Sequence, residues 1–352
     1  MLQTTESFTN TQANTPTNTK EQTQNGLISY DKSEFEEHLK QTCHEFYDMF
    51  ELDEYIDSGY KSVVYKGKHI NQENKKKYFF MFGESKNVYN YNHKMKLIKK
   101  LHHENISEIL AFYKINPRVY CSIYEYGKYG NLNTLLQNFL KRKKLPETFV
   151  NYLAKPILEA LNYMHKLKFI HMNIKEGNIV IDSLLNPKLI DLFSAFSFEN
   201  YGPNDLVKLP IIGAGSYIPY EILTKKEIEI KYGDKIDIYS LGVTLFNLIF
   251  GFYPYGLNNI EENNYEQIKE YLKNAILEFP NAYRLSEKGK HFLKKVLEKD
   301  YKERYNIKEA LEDPWIKGWD IINEEKENIE IIEKFIIELI SDNIYEFNSY
   351  IN

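Results

Sequence analysis

The sequence predicts an α+β protein of two unequal lobes: a small five-stranded lobe with one helix, then a larger helical lobe. Short β-type runs cluster at 54–56, 63–66, 78–82, 112–115 and 120–124, with one helical stretch, 88–101, after the third. Beyond Gly130 the apolar spacing turns helical, at 132–140, 148–166, 236–249, 265–276, 287–298 and 306–311. With 352 residues, the chain is long enough to bury a sizeable core in two lobes. No internal repeat interrupts the series.

Both ends carry appended segments. Residues 1–27 are Thr, Asn and Gln with almost no apolar side chain, too little hydrophobic surface to offset the entropy of ordering, so a disordered polar tail is expected there. Residues 28–50 read as an amphipathic helix with Phe35, Leu39, Phe46 and Met49 at roughly helical spacing. At the other end, 319–352 reads as a helical extension whose Ile329, Ile332, Phe335, Ile336 and Leu339 form one stripe. An apolar stripe needs a surface to cover, so both helices are expected to pack on the lobes.

Composition excludes several classes. Forty-five basic residues against 50 acidic leave a net charge of -5, no field that would favour nucleic acid or an anionic membrane. Cys43 and Cys121 are far apart and lack metal-ligand spacing, which argues against a disulfide framework or a zinc site. The N-terminus has no basic segment leading into an apolar run, and no stretch reaches about 18 uninterrupted apolar residues. A soluble, intracellular and cytoplasmic protein is therefore expected, without a membrane span. The run Lys75, Lys76, Lys77 fits a general bias towards Asn, Lys, Ile and Tyr, and needs no function.

Motifs sharpen the reading. His171, Met172, Asn173, Ile174, Lys175, Glu176, Gly177 and Asn178 precede an apolar strand and then Leu189, Ile190, Asp191, Leu192 and Phe193. Gly215 to Glu221 follow, then Asp237 to Gly242, Gly251 to Tyr255, and Lys299, Asp300 and Arg304 with Asp313 to Ile316. Upstream stand Leu101 to Ile106 and a hinge-like Ile123 to Gly127. In this order the series resembles the eukaryotic protein kinase domain over about residues 51–318, with an N-lobe at 51–124, a hinge at 125–130 and a C-lobe at 131–318. Lys175, two residues after Asn173, is similar to the serine/threonine branch, and the C-lobe resembles calmodulin-dependent-type kinases.

That resemblance implies ATP with magnesium or manganese, and assigns roles that the residues here fill unevenly. The catalytic Asp position holds Asn173, a neutral amide with no accessible pKa for taking a proton. Met172 replaces an Arg that would clamp an activation-loop phosphate. Aligning Val64 with the glycine-rich loop leaves only Gly59 of three glycines. The anchor strand reads Tyr78 to Phe82 with no Lys until Lys86, and Lys94 stands where a helical Glu would pair with it. Lys61 is a candidate substitute cation from the glycine-rich loop, one position early.

Other roles are kept. Asn178 and Asp191 match the metal ligands, Lys175 would face the transferred phosphoryl group, and Gly59, Val64, Glu125 and Gly127 match nucleotide-binding positions. His171, Glu221, Asp237 and Arg304 match structural residues of the C-lobe, Glu221 and Arg304 as a buried ion pair. Phe193 replaces a glycine, which restricts the segment to negative φ there. Scaffold kept and transfer residues lost together imply a pseudokinase that regulates or scaffolds protein partners, with nucleotide and metal binding open. The alternative is an atypical serine/threonine kinase of low activity, in which Asn173 orients the hydroxyl and Lys61 or Lys86 replaces the anchor.

Overall fold

The computed structural model describes Glu37, Lys40, Gln41 and residues 43–59, 62–71, 76–84, 98–116, 119–125, 127, 129–134, 145–224, 227–261, 263–280 and 285–323. The expected polar tail, Phe35 and Leu39, most of the helix at 88–101, the remainder of that at 132–140, and the stripe from Ile329 to Leu339 lie outside them.

Period-two alternation builds the small lobe. Strands β1 (Phe50–Gly59), β2 (Ser62–His69), β3 (Lys77–Glu84), β4 (Ile109–Lys114) and β5 (Val119–Glu125) form one antiparallel sheet in the order β1-β2-β3-β5-β4. All five expected strands are present, each longer than its apolar run, because β pairing carries polar residues at the strand ends. Side chains alternate between two faces. Tyr65, Tyr78, Phe80, Phe82, Cys121 and Ile123 cluster on one, and Phe79, Met81, Tyr120 and Tyr124 join the core shared with the large lobe on the other.

Helix α1 (His44–Met49) covers the first face. Phe46 is 1% exposed and meets Phe50, Phe80, Phe82 and Tyr113 at ring-centroid distances of 5.2 to 5.9 Å. The described part of the N-terminal helix thus packs on the sheet. Phe50, placed at the end of that helix by spacing, is the first residue of β1.

The large lobe forms around α4 (Asp234–Phe250), in which every residue except Asp234 and Asn247 is buried. A helix apolar all round belongs inside a domain; it ends at Gly251, whose φ of 77° suits a residue without Cβ. Helix α2 (Glu147–Lys166) packs on it with Leu153, Ile157, Leu161 and Met164. Around them lie α3 (Tyr220–Thr224), α5 (Tyr265–Asn274), α6 (Glu287–Val296), α7 (Ile307–Glu312) and α8 (Pro314–Asn323). Asn264, Ser286 and Asn306 cap α5, α6 and α7, with Glu309 completing a capping box on the last. Helix α8 runs past residue 318, the expected domain end. No helix among the described residues is long and apolar enough to cross a membrane.

Phe46→Ala is expected to lower stability by about 3–5 kcal/mol, the range for emptying a buried aromatic site, in urea denaturation. A loss below about 0.5 kcal/mol would show that α1 does not hold the sheet.

Candidate active site

Three short strand pairs position the site between the lobes. β6 (Phe169–Ile170) pairs with β9 (Phe196–Ser197), β7 (Ile179–Ile181) with β8 (Pro187–Leu189), and β10 (Leu206–Val207) with β11 (Ile228–Glu229). The loop from His171 to Asn178 leaves β6 and enters β7; Asp191 follows β8.

Asp237, in the first turn of α4, fixes that loop. Its Oδ2 accepts the backbone N–H of His171 at 2.8 Å and Nε2–H of His165 at 2.7 Å, and its Oδ1 accepts the backbone N–H of Met172 at 2.9 Å. His171, fully buried, bonds through Nε2 to the carbonyl of Ile190 at 3.0 Å and through Nδ1 to the backbone N–H of Asn173 at 3.3 Å. A carbonyl only accepts and an amide N–H only donates, so the ring is the neutral Nε2–H tautomer. Burial pushes its pKa down, against the pull of Asp237 and Asp191.

Asn173 then points at Asp191. Its Nδ2 donates to Asp191 Oδ2 at 2.6 Å, and Ser194 Oγ donates to the same oxygen at 2.8 Å. Asn178 Nδ2 donates to the carbonyl of Asn173 at 2.7 Å, which leaves its Oδ1 as the atom able to meet a cation. Asp191 sits at φ 62°, ψ 41°. Gly213, at φ 89°, closes on the other side: a Cβ there would lie 2.6 Å from Asn173 Oδ1. Lys175 is half-buried at the loop edge.

Above this loop the sheet presents rings. Phe79 pairs with Tyr124 and Met81 with Ser122 across β3 and β5, and Phe79, Met81 and Tyr124 are all buried. Burial, with the charge of Asp191 added to it, pushes the Tyr124 phenol well up. Tyr120 stacks on Phe193 at 3.9 Å between centroids, and Phe112 on Tyr120 at 5.8 Å. The one lysine of β3, Lys77, pairs with Asp53 of β1.

Residues 50–316 match the protein kinase domain family. The chain belongs to the protein kinase family. It is 28% identical to myosin light chain kinase A of Dictyostelium discoideum, over 77% of this chain and 88% of that protein. It is 29% identical to the serine/threonine-protein kinase TIO of Arabidopsis thaliana, over 78% of this chain and 19% of that one. With the cell cycle serine/threonine-protein kinase CDC5/MSD2 of Saccharomyces cerevisiae it shares 30% over 62% of this chain and 29% of that one. The chain therefore spans less than a third of the length of the latter two relatives.

As a kinase domain, it has its frame assembled. Arg304 reaches Glu221 bidentately, Nη1 to Oε1 at 2.7 Å and Nη2 to Oε2 at 3.0 Å, both side chains buried, and its guanidinium lies 4.8 Å from the Tyr239 ring. Asn178 and Asp191 come together at the loop, a carboxylate and an amide oxygen of the kind magnesium uses when substrate phosphates complete its shell. No group of three or more His, Cys, Asp or Glu suited to a metal occurs among the described residues.

The expected nucleotide positions lie on β1, β2, the end of β5 and the segment after it. Gly59 closes β1 opposite Ser62, and Lys61 between them lies outside the described residues, as do Lys86 and Lys94. Val64 is half-buried against the shared core. Glu125 is turned to solvent, paired with Lys76 at 2.8 Å. Gly127 is buried where a Cβ would come within 3.2 Å of Val180, so the hinge glycine serves close packing on β7. Met81, Tyr120 and Tyr124 were not singled out by sequence reasoning as cleft residues; their signal was the alternation with Tyr78, Phe80, Cys121 and Ile123.

Met172 is buried at φ 68° in a cluster with Val207, Leu209, Ile218, Ile222 and Ile236. The activation segment is thus seated on an apolar side chain where the resemblance placed a phosphate clamp. Met172→Arg would bury an unpaired guanidinium and is expected to cost roughly 3–5 kcal/mol in chemical denaturation; a neutral result would show the position open to solvent.

Proposed function

We propose that this chain no longer transfers phosphoryl groups efficiently and acts as a regulatory or scaffolding pseudokinase on protein partners. The contact that carries this reading is Asn173 Nδ2 to Asp191 Oδ2 at 2.6 Å. Where a base should stand, an amide donates its hydrogen to the carboxylate that would hold the metal. It can accept a hydroxyl hydrogen at Oδ1, but it has no basic form to keep the proton. Proton abstraction typically supplies about 10²- to 10⁴-fold in rate, and β3 adds Phe79 and Met81 to its cleft face rather than an anchoring lysine. A triphosphate entering there would meet rings and a thioether, with little to offset its lost hydration.

A second reading has one observation in its favour. Asp191 and Asn178 keep their places at the loop, with Lys175 beside them, as an atypical serine/threonine kinase of low activity would require. In that case Asn173 orients the hydroxyl, and magnesium or manganese bound by Asp191 and Asn178 would supply charge neutralisation.

Incubation of the purified chain with ATP and magnesium or manganese is expected to give no phosphotransfer above that of an Asp191→Ala protein. Transfer that disappears in Asp191→Ala would overturn the pseudokinase reading. A thermal-shift titration grades the remainder: stabilisation growing with ATP concentration marks binding without turnover, and none at millimolar ATP marks a purely structural domain.

A further inference from the structure

Two thiols that stand far apart in the sequence are brought to one cluster by the fold. Cys121, in β5, is fully buried in the ring core under α1; Cys43, half-buried, leads into α1 and packs against the same core. In the sheet Cys121 is paired with Phe82 of β3 on one side and with Tyr113 of β4 on the other. The Phe46 ring lies 5.6 Å from that of Phe82 and 5.8 Å from that of Tyr113, so α1 passes over the strand that carries Cys121. Cys43 stands one turn before Phe46, and its carbonyl accepts the backbone N–H of Phe46 at 3.2 Å. The two side chains act on each other: burial, and after it the charge of Cys43, push the Cys121 thiol well up. Both are free thiols, on the face of the sheet opposite to the cleft.

We propose that Cys43 and Cys121 are a peroxide-oxidised pair that closes a disulfide between α1 and β5. Cys43, the more open of the two, meets the oxidant first. Its sulfur takes one oxygen from hydrogen peroxide: the S–O bond forms, the O–O bond breaks, and the departing hydroxide leaves as water with the thiol proton. Cys121 then attacks the sulfenic sulfur of Cys43; the S–S bond forms, the S–O bond breaks, and hydroxide leaves with the Cys121 proton as a second water. One peroxide thus oxidises both thiols, and no other co-reactant is needed. The Cys121 thiol is seldom ionised in its apolar surroundings, which makes the second step the slow one and lets the Cys43 sulfenic acid accumulate. A disulfide sets the two Cβ atoms about 3.8 Å apart, and the start of a six-residue helix in which only Phe46 is buried can shift to meet that requirement. The bond would fix an appended helix to the strand whose other face carries Tyr120 and Tyr124, and it is independent of whether the chain transfers phosphate.

Treatment of the folded full chain with hydrogen peroxide, followed by alkylation of the remaining thiols after denaturation and peptide mapping without reduction, tests the pair. A linked peptide holding Cys43 and Cys121 of a single chain is expected, lost on treatment with dithiothreitol. With dimedone present from the start, the adduct is expected at Cys43 and the linked peptide is expected to disappear. Cys43→Ser, a change at a half-buried position, is expected to slow the loss of the Cys121 thiol at least about tenfold, and it carries the test if Cys121→Ala does not fold. Linkage found only between two chains, a Cys121 thiol lost as fast in Cys43→Ser as in wild type, or no linked peptide once Cys43 has been consumed would each overturn the proposal.

Discussion

Everything at the site depends on the carboxylate of Asp237, fully buried in the first turn of α4 and satisfied by three donors: the backbone amides of His171 and Met172 and the Nε2–H of His165. A buried charge persists only with such partners, and the free amides of a helix N-terminus add to them. The loop therefore leaves β6 in one conformation. His171 then has a single satisfied tautomer, Asn173 has its backbone amide spoken for, and its side chain is left to reach Asp191. The Glu221–Arg304 pair, two buried charges meeting with bidentate geometry, secures the same end of α4, where Arg304 Nη1 also donates to the Lys235 carbonyl at 2.9 Å. None of these contacts requires nucleotide.

Apolar packing makes up much of what surrounds that frame. On the cleft face of the sheet, Phe79, Met81 and Tyr124 belong to a core that continues into the large lobe through Leu132, Ile179, Val180 and Leu192. Tyr120 stacked on Phe193 adds a ring pair between β5 and the segment after Asp191. Below, Met172 seats the activation segment through Val207, Leu209 and Ile218. Dispersion and burial hold the lobes and the segment together at these places. On the opposite face of the sheet, Phe46 closes a second core of rings, so the small lobe is packed on both sides.

Glu176 stands apart from that trend. It is an ionisable group kept in a dry place, and it has two side-chain donors from other elements to satisfy it. Buried carboxylates are costly unless their partners are well placed. It lies between Lys175 and Gly177 in the loop and ties that loop to Tyr217 and to Asn247 of α4.

How far the sequence reached depended on the range of the physics involved. Strands and helices were legible because periods of 2 and of about 3.6 residues are local: Tyr78, Phe80 and Phe82 against Phe79 and Met81 already separate two faces of β3. Asn264, Ser286 and Asn306 announce their helices through caps within three residues. The sequence by itself also determined that an amide stands at position 173, a methionine at 172, and a carboxylate and an amide at 191 and 178. Which face of the sheet would meet the cleft, that Tyr120 would lie on Phe193, that Asn173 would give its amide to Asp191, and that Glu176 would find Tyr217 41 residues away were decided only by tertiary structure. Such contacts join residues that no local period relates, and their geometry exists only once the backbone between them has been fixed by Asp237 and the buried helix that carries it.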